Sequence, residues 1–117
     1  MTYEKALAMI ETEFETIKGG ADCYRGIRTG LTYDGFNPFC VNIYNSENGV
    51  VLSDFGNTKE VFDEVDEGEW TALCEAHGFR FDHGKIVREF KAVTDVADFI
   101  LFLDLVSTKF WDEMQDE

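Results

Sequence analysis

The run Phe39-Cys40-Val41-Asn42-Ile43-Tyr44, then Asn45-Ser46-Glu47-Asn48-Gly49, then Val50-Val51-Leu52, then Ser53-Asp54-Phe55-Gly56-Asn57-Thr58 decides how this chain is read. Phe39, Val41 and Ile43 alternate with Cys40, Asn42 and Tyr44, the period of a half-buried strand. Asn48-Gly49 supplies residues tolerant of positive φ, so Asn45–Gly49 reads as a hairpin loop and Val50–Leu52 as the returning strand. Asp54, Gly56 and Thr58 have the chemistry of a strand-to-helix turn: an Asx-type acceptor, a positive-φ glycine and a helix cap.

Upstream, Ile27, Thr29, Leu31 and Tyr33 also alternate, and Asp34–Pro38 is turn chemistry, so a strand is expected before the turn. Pro38 can start the next strand but could not sit inside it. Before that, Tyr3, Ala6, Leu7, Ile10, Phe14 and Ile17 recur at helical spacing, with Thr2 as N-cap and Gly19-Gly20 as the stop after Lys18.

Downstream, Asn57 or Thr58 can cap a short helix running to Val65, with Glu60 completing a capping-box spacing to Asn57 and Gly68 breaking it. A second short helix carries Trp70, Leu73 and His77 on one face and stops at Gly78. Phe79–Asp82 and Lys85–Phe90, joined by His83-Gly84, read as a tight hairpin. Thr94 caps a last helix from about Asp95 to Glu113, ending in an acidic tail.

Strands come in runs joined by hairpins. The expected fold is therefore α+β: a mainly antiparallel sheet of about five strands in two hairpin or meander units, packed against N- and C-terminal helices, with two short helices between. The 117 residues suit a single domain spanning 1–117. Eleven Phe, four Tyr and two Trp supply enough aromatic area for a compact core rather than a disordered chain.

Charge narrows the function classes. Twenty-four acids against ten bases give a net −14, which repels nucleic-acid phosphates and anionic lipid surfaces. The acids are not spread evenly. Residues 54–75 hold eight acids and one base, and residues 95–117 hold seven acids and one base. The bases Arg25, Arg28, Arg80, Lys85, Arg88 and Lys91 fall in strand regions. Two readings fit: a solvated surface that keeps the chain soluble, or an acidic surface that imitates a duplex and occupies a basic groove on a protein partner. On the second, the binding surface comprises Glu60, Asp63, Glu64, Asp66, Glu67, Glu69, Asp98, Asp112 and Glu113.

The N-terminus lacks a basic region followed by an apolar run, and Phe99–Leu103 is far too short to span a bilayer, so no signal peptide or membrane segment is expected. Three cysteines without close pairing fit a reducing cytoplasm. The last helix is apolar on nearly every side. It needs cover from the sheet and first helix, or from a second copy through Phe99, Phe102, Val106 and Phe110.

Candidate chemistry is sparse. Cys74 and His77 stand three residues apart on a helix, with His83 nearby, but a zinc site wants four ligands and a Cys–His nucleophile needs a third orienting group. Glu89-Phe90-Lys91 matches the acid-x-Lys element of metal-dependent nucleases, yet a turn at His83-Gly84 leaves the upstream Asp82 about 13 Å away along the strands. Asp54-Phe55-Gly56 spells the metal-binding tripeptide of protein kinases without their phosphate loop or catalytic loop. No catalytic residue, metal or cofactor is assigned.

The segment from about Cys23 to Phe90 resembles a bacterial and phage family of uncharacterised domains, the domain of unknown function numbered eighteen twenty-eight. The residues that carry the resemblance are the Pro38-Phe39 turn before a strand ending in Tyr44, and the Leu52-Ser53-Asp54-x-Gly56-x-Thr58 turn that starts a helix. The family has no established activity, so the resemblance implies a fold and a phage or prophage setting. The expected function is protein binding through the acidic surface, as a nucleic-acid-mimicking inhibitor. The alternatives are an assembly module dimerising through the last helix, and a small-ligand binder or enzyme using Cys74, His77 and His83.

Overall fold

A computed structural model of the chain describes residues 1–115. Its elements run α1 (Tyr3–Glu11), β1 (Thr16–Lys18), β2 (Tyr24–Ile27), β3 (Val41–Ser46), β4 (Gly49–Ser53), α2 (Asn57–Val61), α3 (Glu67–Ala76), β5 (Arg80–Asp82), β6 (Lys85–Glu89) and α4 (Thr94–Gln115). The strands form one six-stranded sheet in the order β1-β2-β3-β4-β6-β5, antiparallel at every pairing. The fold is α+β, with six strands where about five were expected. Pairing of Leu52 with Arg88 welds the two hairpin units into a single sheet.

The extra strand comes from residues expected to be helical. Thr2 caps α1 by accepting the Lys5 N–H at 3.2 Å, as its position suggests. The helix then stops at Glu11 instead of Lys18. The Thr12 hydroxyl donates to the Met9 carbonyl at 2.7 Å, and Thr16–Lys18 pairs with Arg25–Ile27. Phe14 and Ile17 fall at helical spacing, but a sheet edge offered the β-branched Thr16 and Ile17 a ladder of backbone bonds. Gly19-Gly20, no longer a helix stop, seats the Tyr24 ring. A Cβ at Gly19 would lie 2.3 Å from that ring, and the Gly20 N–H donates to the Tyr24 hydroxyl at 3.0 Å.

A second displacement follows. The strand expected over Ile27–Tyr33 instead occupies Tyr24–Ile27, and beyond it only Thr32 bridges to Pro38. The chain leaves the sheet so that Tyr33 can enter the core, where it is 4% exposed. In the β3–β4 hairpin, Ser46 pairs with Gly49 across Glu47-Asn48, and Gly49 alone carries a positive φ, at 126°. Gly68 lies inside the first turn of α3 rather than between helices, donating its N–H to the Asp66 cap. The β5–β6 turn is as expected, with His83 and Gly84 both at positive φ.

Among the described residues, the apolar sides of the helices share one core with one face of the sheet. Ala6 and Ile10 of α1, Val41, Ile43, Leu52 and Ile86 of the strands, and Val96, Phe99, Leu103, Val106 and Phe110 of α4 form the buried core. Alternation sends Tyr24, Tyr44, Val51, Ser53 and Val87 to the opposite, helix-free face. This arrangement removes the dimer surface expected on α4. Phe99, Phe102, Val106 and Phe110 are at most 4% exposed within one chain, because the sheet and α2–α3 already cover them. What α4 leaves outside is Leu101, Leu105, Trp111 and Met114.

Phe110 joins two parts of the core. Its ring lies 5.8 Å from Phe62 and 5.0 Å from Trp70, and Trp70 stacks on Phe81 at 5.7 Å. Phe110→Ala should therefore cost about 3–5 kcal/mol in chemical denaturation, whereas Leu101→Ala, at an exposed site on the same helix, should cost under about 0.5 kcal/mol.

Candidate functional site

The turn after β4 is organised by a buried carboxylate. Asp54 has no exposed surface. Its Oδ1 accepts the Gly56 and Ile86 N–H groups at 2.9 Å each, and its Oδ2 accepts the Thr58 N–H at 3.1 Å. The Asp54 N–H donates in turn to the Ile86 carbonyl at 3.2 Å. Burial pushes the carboxyl above its ordinary pKa, while the hydrogen bonds from Thr58, Gly56 and Ile86 pull it back. Asp54, rather than Asn57 or Thr58, supplies the acceptor at the start of α2, and Gly56 takes φ 84° as the turn requires. The Thr58 hydroxyl instead pairs with the Tyr33 hydroxyl inside the core.

This turn forces its neighbour. Phe55 sits at φ 55°, a left-handed conformation that costs a bulky residue about 1–3 kcal/mol. The ring swings over the helix-free sheet face, 5.1 Å from Tyr24 and 6.0 Å from Tyr44, nearly perpendicular to both. A groove of about 1040 Å³ opens there, lined by the three rings, Val51 and Val87, with Ser46, Asn48, Arg80, Asp82, His83, Lys85 and Glu89 around them. Sequence reasoning did not find this groove. Its residues come from five strands and three turns, and only the sheet order brings them together.

The nine acids singled out from the sequence are all exposed. They do not form one surface. Glu60, Asp63, Glu64, Asp66, Glu67 and Glu69 cluster along α2–α3, which packs on the C-terminal half of α4 through Phe62, Trp70 and Phe110. Asp112 and Glu113 lie at that same end of α4, where Glu113 binds Lys109 at 2.8 Å. That hydrogen bond raises the Lys109 pKa, and nearby Glu69 adds to the effect. Asp98 stands apart, about 21 Å up the helix axis from Asp112. There it shares Arg88 with Asp95, at 3.6 and 3.4 Å. Asp116 and Glu117 lie outside the described residues.

Cys74, His77 and His83 share no cleft. Cys74 is buried in the core, and burial pushes its thiol up to about 12. His77 caps the end of α3 beside Phe102, and His83 sits in the β5–β6 turn paired with Asp82 at 2.8 Å. Asp82 pairs with Lys85, whereas Glu89 lies opposite Val51, so the nuclease-like carboxylates stay apart. Among the described residues no three His, Cys, Asp or Glu gather where a metal ion could be held.

Comparison of the chain with protein-family models, with curated proteins and with solved structures returns no match.

Two outcomes test this account. Asp54→Asn replaces one acceptor with an amide that faces backbone N–H groups, and should lower unfolding free energy by about 2–4 kcal/mol. With a thiol reagent at mildly alkaline pH, exposed Cys23 should react quickly, and Cys74 only on unfolding. Rapid reaction at Cys74 in the folded protein would mean that it is not the inert core residue described.

Proposed function

We propose that the chain is a phage- or prophage-type accessory protein that acts by binding, through the acids of α2–α3, a protein whose basic surface ordinarily holds nucleic acid. One observation carries this reading. Six exposed carboxylates lie between Glu60 and Glu69, and among the described residues none of them is in an ion pair.

Such a cluster repels itself, and within about one Debye length the repulsion is relieved by a partner's cations. Some acids elsewhere are answered by bases, Glu15 by Arg28, Asp95 and Asp98 by Arg88, Glu113 by Lys109, and the unpaired remainder, such as Glu4, Glu11, Asp22 and Asp104, is scattered along the chain rather than clustered within ten residues. The densest unpaired negative charge is thus the six carboxylates of α2–α3. Complementary fields of this kind steer encounter and select partners. Among the described residues no helix is long and apolar enough to cross a membrane, and free cysteines suit a reducing cytoplasm as the place of action.

The test uses a fluorescent peptide of about ten arginines as a stand-in for the basic surface, titrated at low and moderate salt. Neutralising Glu60, Asp63, Glu64 and Glu67 as Gln or Asn should weaken binding by roughly tenfold or more, and the salt dependence should flatten. Neutralising four acids elsewhere, Glu4, Glu11, Glu13 and Glu15, should weaken it by less than about threefold. Equal losses in the two variants would show that only net charge matters and would overturn the assignment to α2–α3.

A further inference from the structure

The helix-free face of the sheet is a separate site, and its chemistry differs from that of the acidic helices. We infer that the groove between Tyr24, Tyr44, Phe55, Arg80 and Lys85 binds a nucleoside monophosphate, its planar base against the aromatic corner and its phosphate at the cationic rim.

The aromatic half is built rather than incidental. Tyr24 pairs with Tyr44 across β2 and β3, and Tyr44 with Val51 across β3 and β4. Tyr24 is fixed by its seat on Gly19 and by the Gly20 N–H at 3.0 Å. Phe55 meets Tyr24 at 78° and Tyr44 at 84°, so the rings make a corner with no parallel stacking among them. The corner stays open: Phe55 is 37% exposed. An aromatic ring there offers π surface to any base, independent of its sequence identity. The space of about 1040 Å³ is at the upper end of small-ligand pockets.

The charged half selects an anion. The two acids lining the groove each face a base: Asp82 the His83 imidazole at 2.8 Å, which answers its charge only when protonated, and Glu89 the exposed Lys91 ammonium at 4.0 Å. Arg80 and Lys85 have no ion-pair partner among the described residues. The Lys59 stem lies against the neighbouring turn at Gly84, 3.6 Å from where a Cβ would stand. In a chain of net charge −14 these bases collect beside the aromatic rings. The same net charge limits the anion's size. A single phosphate can sit at the rim, whereas a longer strand would run into the field of the acidic helices.

The experiment is a ¹⁵N-resolved NMR titration of the full chain with adenosine 5′-monophosphate at low salt, in parallel with adenosine, inorganic phosphate and a short oligothymidylate. The expected result is saturable binding of the monophosphate, with shifts centred on Tyr24, Tyr44, Phe55 and Lys85. Adenosine and phosphate alone should bind at least about tenfold more weakly, and the oligonucleotide no more tightly than the monophosphate. Phe55→Gly suits the positive φ and removes the ring, so it should keep the fold and lose about tenfold or more in affinity. Should that variant unfold, the exposed Arg80→Gln and Lys85→Gln changes test the rim, each with an expected loss of roughly fivefold or more.

No saturation by about 10 mM monophosphate would overturn the proposal. Shifts confined to other surfaces, equal binding of adenosine, or unchanged affinity in the rim variants would do the same. Tighter binding of the oligonucleotide would replace a mononucleotide site with a single-strand site, and so would also overturn it.

Discussion

The Asp54 carboxylate is the constraint on which the rest of the structure depends. By accepting from Gly56 and Thr58 it turns the chain from β4 into α2, and by accepting from Ile86 it ties that turn to the second hairpin. Two hairpin units distant in sequence are thereby held in a single sheet. A buried carboxylate is costly unless each oxygen finds donors, and here backbone N–H groups from three residues provide them. The same groups would otherwise be left without partners at a buried strand end. One side chain thus satisfies several needs of the backbone at once.

The consequences spread from that turn to both faces of the molecule. On the covered face, the register it sets places Leu52, Ile86 and Ile43 under α4, whose apolar girth then finds cover within one chain. On the open face, it forces Phe55 into a left-handed conformation and lays the ring against Tyr24 and Tyr44. Strain of this kind persists only where the surroundings over-determine it, and here the cradle of hydrogen bonds on either side of Phe55 does so. Helices gathered on one side carry the carboxylates with them, and the sheet retains the bases. The two proposed surfaces, acidic helices and aromatic-basic groove, therefore differ in the chemistry they present.

How much of this was legible can be judged residue by residue. The β3–β4 hairpin, the His83-Gly84 turn and the special role of Asp54 and Gly56 were readable, because each depends on chemistry within a few positions. Thr12–Lys18 reads as helix from the sequence because Phe14 and Ile17 keep a helical spacing, while the backbone of Thr16–Lys18 joins a sheet edge. The strand at Ile27–Tyr33 was placed late because Tyr33 alternates correctly yet is drawn away to pair with Thr58. Phe99, Phe102, Val106 and Phe110 were offered to a second copy, since nothing local reveals that Phe62, Trp70 and Phe79 will meet them. Asp98 was grouped with the other acids, and only the approach of Arg88 sets it apart.

The amino-acid sequence by itself determined the class of the fold, the hairpin turns, the strand-to-helix turn and the segregation of acids into helical segments. These follow from side-chain period, from residues that tolerate positive φ, and from composition along the chain, all of which act over short distances. Tertiary structure alone decided the strand order by which the two hairpin units join in that sheet, which acids remain without counter-ions, and that an aromatic groove exists on the uncovered face. Those features arise from strand order and register, which bring together residues as distant as Tyr24 and Glu89, and contacts of that range leave no periodic trace in the chain.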